Sequence, residues 1–270
     1  MIKLDGNIIK PTIFPDGTKL IKLPRFIGIY AHIEWFYESD DELVTLMFIA
    51  KELKDRCSQP CLYMPYIPNA RFDRVKNDQE VFTLKWFCDI INSLNFHEVH
   101  ILDPHSHVSE ALIDKLEIIT PKDIIQSFID KNFLDDCSLN KFALFFPDSG
   151  SEKRYSDMFK IPYTFGVKKR DWETGEIKGL DIVGDESFIK GKKVLIVDDI
   201  CSRGGTFYHS AKKLKELGAE EVYLYVTHCE NTILEGDLLT SGLIEKVFTT
   251  NSIFTKEHEK IEIYDLRGEV

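Results

Sequence analysis

The stretch from Lys192 to Thr206, KKVLIVDDICSRGGT, constrains this chain more than any other. An unbroken apolar run, Val194 to Val197, ends in two adjacent carboxylates, Asp198 and Asp199. A turn of small residues follows, and from Phe207 to Leu217 apolar residues recur at helical spacing. A continuous apolar run bounded in this way reads as a strand buried on both faces, the condition of a parallel sheet. The unit is therefore strand, loop, helix, and open α/β sheets bind ligands where such strand ends meet helix N-termini. Gly204 and Gly205 permit close backbone approach, and the N–H groups opening the helix, with Thr206, can hold a phosphate. Carboxylates at the mouth of a phosphate loop repel the phosphate unless they face ribose hydroxyls or a magnesium ion. A ribose phosphate is the ligand this combination favours over an ordinary turn.

The chain has 270 residues, 43% of them hydrophobic, which is enough for two ordinary domains. A net charge of −11 argues against a surface for nucleic acid, so an anionic substrate needs a locally basic pocket. The 6 cysteines include no Cys-x-x-Cys pair, and Cys57 and Cys61 have no second pair to complete a metal site. Reduced thiols in a cytoplasmic enzyme are the expectation. Met1 to Lys10 lacks a signal-peptide core, and no apolar run approaches the roughly 18 residues of a membrane span.

Taken in order, residues 2–31 alternate short apolar runs with turn signals, Asp5-Gly6, Pro15-Asp16-Gly17 and Pro24, and lead into a strand at Phe26–Ala31. Ser39 or Asp40 caps a helix carrying Leu43, Leu46, Met47, Ala50 and Leu53. A strand at Cys61–Met64, a helix at Val81–Leu94 and a strand at Val99–Leu102 give βαβαβ, the pattern of a parallel sheet. After a short helix near Val108–Ile113, a strand near Glu117–Ile119 and a helix at Lys122–Phe133, the polar residues Leu134–Asn140 read as a linker. A second series follows: strand Phe142–Phe146, helix Ser151–Phe159, strand Tyr163–Lys168, the central unit, and strands at Val222–Thr227 and Lys246–Thr249. The expected fold is α/β, two similar domains at 1–136 and 137–270, each a mainly parallel sheet flanked by helices.

The central motif resembles the phosphoribosyl-diphosphate-binding signature of type I phosphoribosyltransferases and of the ribose-phosphate diphosphokinases (PRPP synthases) that share their fold. Four further stretches resemble the second branch, each beside a plainer reading. Tyr63 to Arg74 places Arg71 and Arg74 three apart on a loop that is otherwise a solvated basic turn; their fork geometry suits phosphate oxygens. It is similar to the family's ATP loop, which implies ATP contacts for Arg71, Phe72, Asp73 and Arg74. Asp103-Pro104-His105 resembles the Asp-x-His that sets a histidine near metal and ATP phosphates, so His105 inherits that role and His107 does not. Pro147-Asp148-Ser149-Gly150, also readable as a helix cap, resembles a turn whose aspartate is associated with magnesium. Lys168-Lys169-Arg170, ahead of the aperiodic polar segment Asp171–Glu176, matches the Lys-x-Arg opening a mobile loop, which makes Lys168 and Arg170 the expected catalytic cations. Phe14, Asp16 and Thr18 match an adenine-contacting segment, although a β-turn explains Asp16-Gly17 fully.

The resemblance runs from about Phe14 to Ile253. It implies Mg2+-dependent transfer of diphosphate from ATP to the anomeric hydroxyl of a ribose 5-phosphate-type acceptor, with Asp198, Asp199, Ser202, Arg203, Gly204, Gly205 and Thr206 as the ribose-phosphate site and His105 and Asp148 toward the metal. Alternatives are a phosphoribosyltransferase consuming PRPP and a non-catalytic regulatory relative. Ser202-Arg203 replaces the family's Asp-Thr, one negative charge fewer and one positive charge more, which raises ADP-ribose, a precursor type for NAD synthesis, as a second acceptor. Phe72 and Thr18 replace the usual Gln and Glu, altering the nucleotide contacts. The family continues beyond the segment Ile261–Tyr264 into a further helix, so its hexamer is not implied; a homodimer or larger homo-oligomer without nucleic-acid or membrane partners is expected.

Overall fold

The computed structural model describes residues 1–56, 58–170 and 177–267; the side chains of Lys168, Lys169, Arg170 and residues 177–179 lie outside the description, as do Cys57 and the segment 171–176. The chain forms two compact units, Met1–Thr120, joined by Arg267, and Pro121–Leu266. The division falls just ahead of a helix that runs through Ser138, whereas the polar composition of Leu134–Asn140 had placed it near residue 136. Among the described residues no disulfide forms, and no helix is long and apolar enough to cross a membrane.

In the first unit the elements are β1 (Ile2–Leu4), β2 (Asn7–Ile9), β3 (Thr12–Ile13), β4 (Lys19–Leu20), β5 (Tyr30–Trp35), α1 (Asp41–Asp55), β6 (Gln59–Tyr63), α2 (Thr83–Ser93), β7 (Val99–Leu102), α3 (His107–Leu112) and β8 (Leu116–Ile119). The sheet order is β2-β1-β5-β6-β7-β8, parallel from β5 onward, with β1 and β2 antiparallel at one edge. The strand expected at Phe26–Ala31 begins later, at Tyr30, and continues to Trp35; Phe26 and Ile29 are exposed and find no burial to hold them in a strand. Neither Ser39 nor Asp40 caps α1 through its side chain. The Asp40 carboxylate instead accepts the Tyr37 hydroxyl at 2.8 Å, and Glu42 gathers the approach to the helix, accepting Trp35 Nε1 and the Glu38 N–H at 2.9 Å each and pairing with the Met1 amine.

The second unit comprises α4 (Lys122–Ser138), β9 (Phe142–Phe146), α5 (Ser149–Tyr155), β10 (Tyr163–Arg170), β11 (Ile177–Val183), β12 (Lys193–Cys201), α6 (Gly205–Glu216), β13 (Glu221–Cys229), β14 (Val247–Thr250) and β15 (Ile261–Tyr264). Their order is β11-β10-β9-β12-β13-β14-β15, parallel throughout except for β11 against β10. Strand β12, the continuous apolar run, is central, and Val194 to Val197 are wholly buried, as a strand covered on both faces must be. Helix α4 belongs to this unit because its apolar side stacks on the sheet, Phe133 on Phe142 at 4.7 Å and Phe128 on Phe248 at 4.9 Å between ring centroids. Strand β11, absent from the sequence reading, completes the edge as an antiparallel partner.

Candidate active site

In a parallel sheet all strand ends of one sense lie along one edge, and in the second unit that edge collects the chemistry. Strand β12 ends in Asp198 and Asp199, β9 runs into Asp148, and β13 runs into Glu230. Asp199 is buried; its backbone N–H donates to the Asp198 carboxylate at 3.0 Å, and its own carboxylate lies 3.5 Å from the Arg154 guanidinium. Asp198 keeps some contact with solvent, but the protein packs around its carboxyl. This loss of hydration is the main reason its pKa stands well above the usual carboxylate range, and the charges of Asp199 and Asp148 push the same way. The structure thus brings Asp148, Asp198 and Asp199 within electrostatic reach of one another.

Asp148 also performs the plainer task its position allowed. It is the N-cap of α5 in a reciprocal capping box, its Oδ1 accepting the N–H groups of Gly150 at 3.0 Å and Ser151 at 3.1 Å. Strand β10 comes close to this turn because position 166 is glycine: a Cβ there would sit 2.9 Å from the Pro147 carbonyl.

The turn after β12 leads straight into α6. Gly204 has φ +80° and forms the N-cap, and a Cβ on it would meet Leu238 at 2.9 Å, so both conformation and space demand glycine. Gly205 and Thr206 open the helix, and the axial dipole and free N–H groups at that end favour an anion. The loop is held from its far side by a segment that sequence reasoning passed over. Ser202 Oγ donates to Glu230 at 2.8 Å, Arg203 pairs with Glu235 at 3.0 Å, and the backbone of Gly236 approaches so closely that a Cβ would lie 1.9 Å from the Arg203 carbonyl. The signal that finds Glu230 is register: Cys201 pairs with Cys229 across β12 and β13, so the residues that follow them, Ser202 and Glu230, are neighbours.

The Lys168 and Arg170 side chains, and the polar segment Asp171–Glu176, lie outside the described residues; the backbone of both cations continues β10, with a bulge between Lys169 and Arg170 opposite β11.

In the first unit the Arg71 loop and the His105 turn leave the carboxyl ends of adjacent strands, β6 and β7, stitched by the Leu102 N–H to the Pro65 carbonyl at 3.2 Å. Asn69 and Asp103 sit at φ +64° and +45°, the left-handed backbone that short polar side chains tolerate at such bends. Arg71, Phe72 and Arg74 are exposed, and Arg74 lies 3.5 Å from Asp73. His107 makes an exposed pair with Glu110 at 2.7 Å. Phe14 to Thr18 forms a tight β3–β4 turn closed by Asp16, whose carboxylate accepts the Thr18 hydroxyl at 2.7 Å and its N–H at 3.0 Å; these bonds lower its pKa. Arg71, Phe72, Asp73, Arg74 and His105 share one sheet edge of this unit, and Phe14, Asp16 and Thr18 stand on the separate hairpin.

Residues 153–242 match the model of the phosphoribosyl transferase domain. The ribose-phosphate pyrophosphokinase of Pyrococcus abyssi is 29% identical over 98% of this chain and 91% of its own length, and that of Sulfolobus acidocaldarius 27% identical over 96% and 88%. Along nearly its whole length the chain is therefore similar to ribose-phosphate pyrophosphokinases. A phosphoribosylpyrophosphate synthetase from Mycobacterium smegmatis shares the fold over 96% of this chain and 86% of its own, with a TM-score of 0.75 at 19% identity. This likeness covers both α/β units, whereas the phosphoribosyl transferase model covers part of the second alone.

Proposed function

We propose that the protein transfers a diphosphoryl group from ATP to the anomeric hydroxyl of ribose 5-phosphate, releasing AMP. The anomeric oxygen attacks the β-phosphorus in line, the bond from that phosphorus to the α-phosphate oxygen breaks, and the sugar gains a 1-diphosphate. Asp198 and Asp199 orient the ribose hydroxyls. The backbone from Ser202 to Gly205, with Thr206, holds the 5′-phosphate. Lys168 and Arg170 meet the charge on the moving diphosphoryl group, and Phe14, Asp16, Thr18, Arg71, Phe72, Asp73, Arg74 and His105 take ATP. The observation that carries this reading is the crowded carboxylate pair on the central strand, opening directly onto a glycine turn and a helix N-terminus.

Among the described residues no three His, Cys, Asp or Glu side chains gather as a ligand cage. This fits Mg2+, which keeps waters and phosphate oxygens around it and takes one or two carboxylates from the protein. The crowding that raises the Asp198 pKa marks a place where a divalent cation is welcome, so Asp148 beside Asp198 is the proposed pair in the second unit, and the resemblance assigns His105 of the first unit a metal role of its own. Held by Asp148 and Asp198, the cation would supply positive charge against the phosphates during transfer.

Ribose 5-phosphate is favoured over ADP-ribose because Glu235 already meets the charge of Arg203. The test is AMP release from Mg-ATP with each sugar, with Lys168→Ala as background. Faster turnover of ribose 5-phosphate supports the reading and preference for ADP-ribose moves the assignment to the longer acceptor. No AMP above background with either sugar favours a non-catalytic role, and AMP-free consumption of PRPP with a nucleobase favours a phosphoribosyltransferase.

A further inference from the structure

We propose that Glu230 is a positioning residue for the phosphate loop, and that the Ser202 hydroxyl is its brace rather than a phosphate donor. The inference rests on the ribose 5-phosphate reading above.

A serine hydroxyl carries one hydrogen, and a carboxylate only accepts. With Ser202 Oγ 2.8 Å from Glu230 Oε2, that hydrogen points at the carboxylate and leaves lone pairs for any approaching phosphate oxygen, which would repel it. The same carboxylate oxygen accepts the Thr232 hydroxyl at 3.0 Å, so Glu230 ties the 3₁₀ turn Asn231–Glu235 to the loop. One more bond joins the chain segments, the Glu230 N–H donating to the Cys201 carbonyl at 2.8 Å, and within the loop Cys201 Sγ donates to the Ser202 carbonyl at 3.3 Å. Gly236 and Leu238 then pack against Arg203 and Gly204 with no room for another atom. Together these contacts brace the backbone from Cys201 to Gly204 and leave the N–H groups that open α6 as the phosphate cradle. Position 202, an aspartate in the resembled motif, is here a serine whose partner strand supplies the carboxylate.

The test is calorimetric titration of ribose 5-phosphate into the wild type, Ser202→Ala, Glu230→Ala, Glu230→Gln and the Ser202→Ala/Glu230→Ala double variant, with ATP titrated separately. Each alanine variant is expected to bind ribose 5-phosphate about tenfold more weakly, the loss of one hydrogen bond to a charged group. The double variant binds no more weakly than Glu230→Ala alone, because that change already removes the bond that Ser202→Ala removes. Glu230→Gln stays within about threefold, since its carbonyl still accepts both hydroxyls, and ATP affinity does not move. Losses that multiply in the double variant make Ser202 a direct ligand and overturn the proposal, as does an equal loss of ATP binding, the mark of general unfolding. Should Glu230→Ala fail to fold, the volume-keeping Glu230→Met replaces it in the same cycle. A wild type that binds ribose 5-phosphate without releasing AMP overturns the proposed reaction and leaves this inference standing; one that binds none overturns both.

Discussion

Gly205→Ala separates what the fold needs from what the ligand needs. Gly205 is the first residue of α6, its backbone is outside the left-handed region, and nothing lies within 4 Å of where its Cβ would stand. Alanine at such a position loses less chain entropy on folding, a gain of about 0.4–1 kcal/mol. For a unit of this size that raises the melting midpoint by about 2–4 °C per kcal/mol. The open space has a second claimant, because the phosphate proposed for this loop must come close to the backbone that would carry the new methyl group. An N–H to phosphate bond near about 2.9 Å does not survive a retreat of about 1 Å. Losing one charge-assisted bond, about 1.5–3 kcal/mol, weakens binding by roughly tenfold to a hundredfold. The assay pairs thermal melts with ribose 5-phosphate titration of the same protein. Gly204→Ala is the contrast: its φ of +80° and the 2.9 Å approach to Leu238 predict a loss of stability as well. Wild-type affinity in Gly205→Ala would refute the placement of the phosphate, and a lowered midpoint would refute the packing argument.

Two further substitutions probe the carboxylates. Asp198 holds its proton to higher pH in the folded chain than in the unfolded one, so the stability this lends is complete below the ordinary carboxylate pKa and is lost as pH rises through the raised value. Asp198→Asn, which cannot ionise, is therefore expected to match the wild type near pH 4 and to exceed it increasingly toward pH 7.5 in urea titrations, while AMP release is lost; a stability difference independent of pH would contradict the crowding argument. Arg154→Met removes a cation 3.5 Å from the buried Asp199 carboxylate and is expected to lower stability by about 3 kcal/mol, with Arg154→Lys recovering part of it; equal midpoints in urea for Met and wild type would show that Asp199 does not depend on this partner.

Much of the fold was legible because parallel strands announce themselves. Val194–Val197 and Phe142–Phe146 are buried on both faces, so nothing polar interrupts them, and the turns at their carboxyl ends hold the candidate site residues. Reading failed where polarity has two causes. Leu134–Asn140 was polar like a linker, but most of it is the outward side of α4, anchored by Phe128 and Phe133. Strand β11 was overlooked because the polar segment before it shows no periodicity and the strand lies at a sheet edge. In sequence Asp148 allows the cap and the metal readings equally, since both ask for a carboxylate at a strand-to-helix turn; the structure shows the cap, made by its Oδ1.

The charge balance of the phosphate loop was the least legible feature, for a geometric reason. In sequence, Ser202-Arg203 is a shift of two charges toward positive, measured against the motif it resembles. In the fold, the partner of Ser202 is 28 residues away and that of Arg203 is 32, both on the segment that follows the next strand. Parallel pairing places one strand end beside the next, so a departure at the first has its natural compensation at the second, a crossover later in the chain. Glu230 and Glu235 supply two carboxylates to set against the two lost units, at 2.8 Å and 3.0 Å from the altered side chains. The local composition of this loop is thus a poor measure of its charge; the pair of adjacent strand ends is the smallest unit from which acceptor preference can be argued, and it is on that pair that the proposal of a simple sugar phosphate rests.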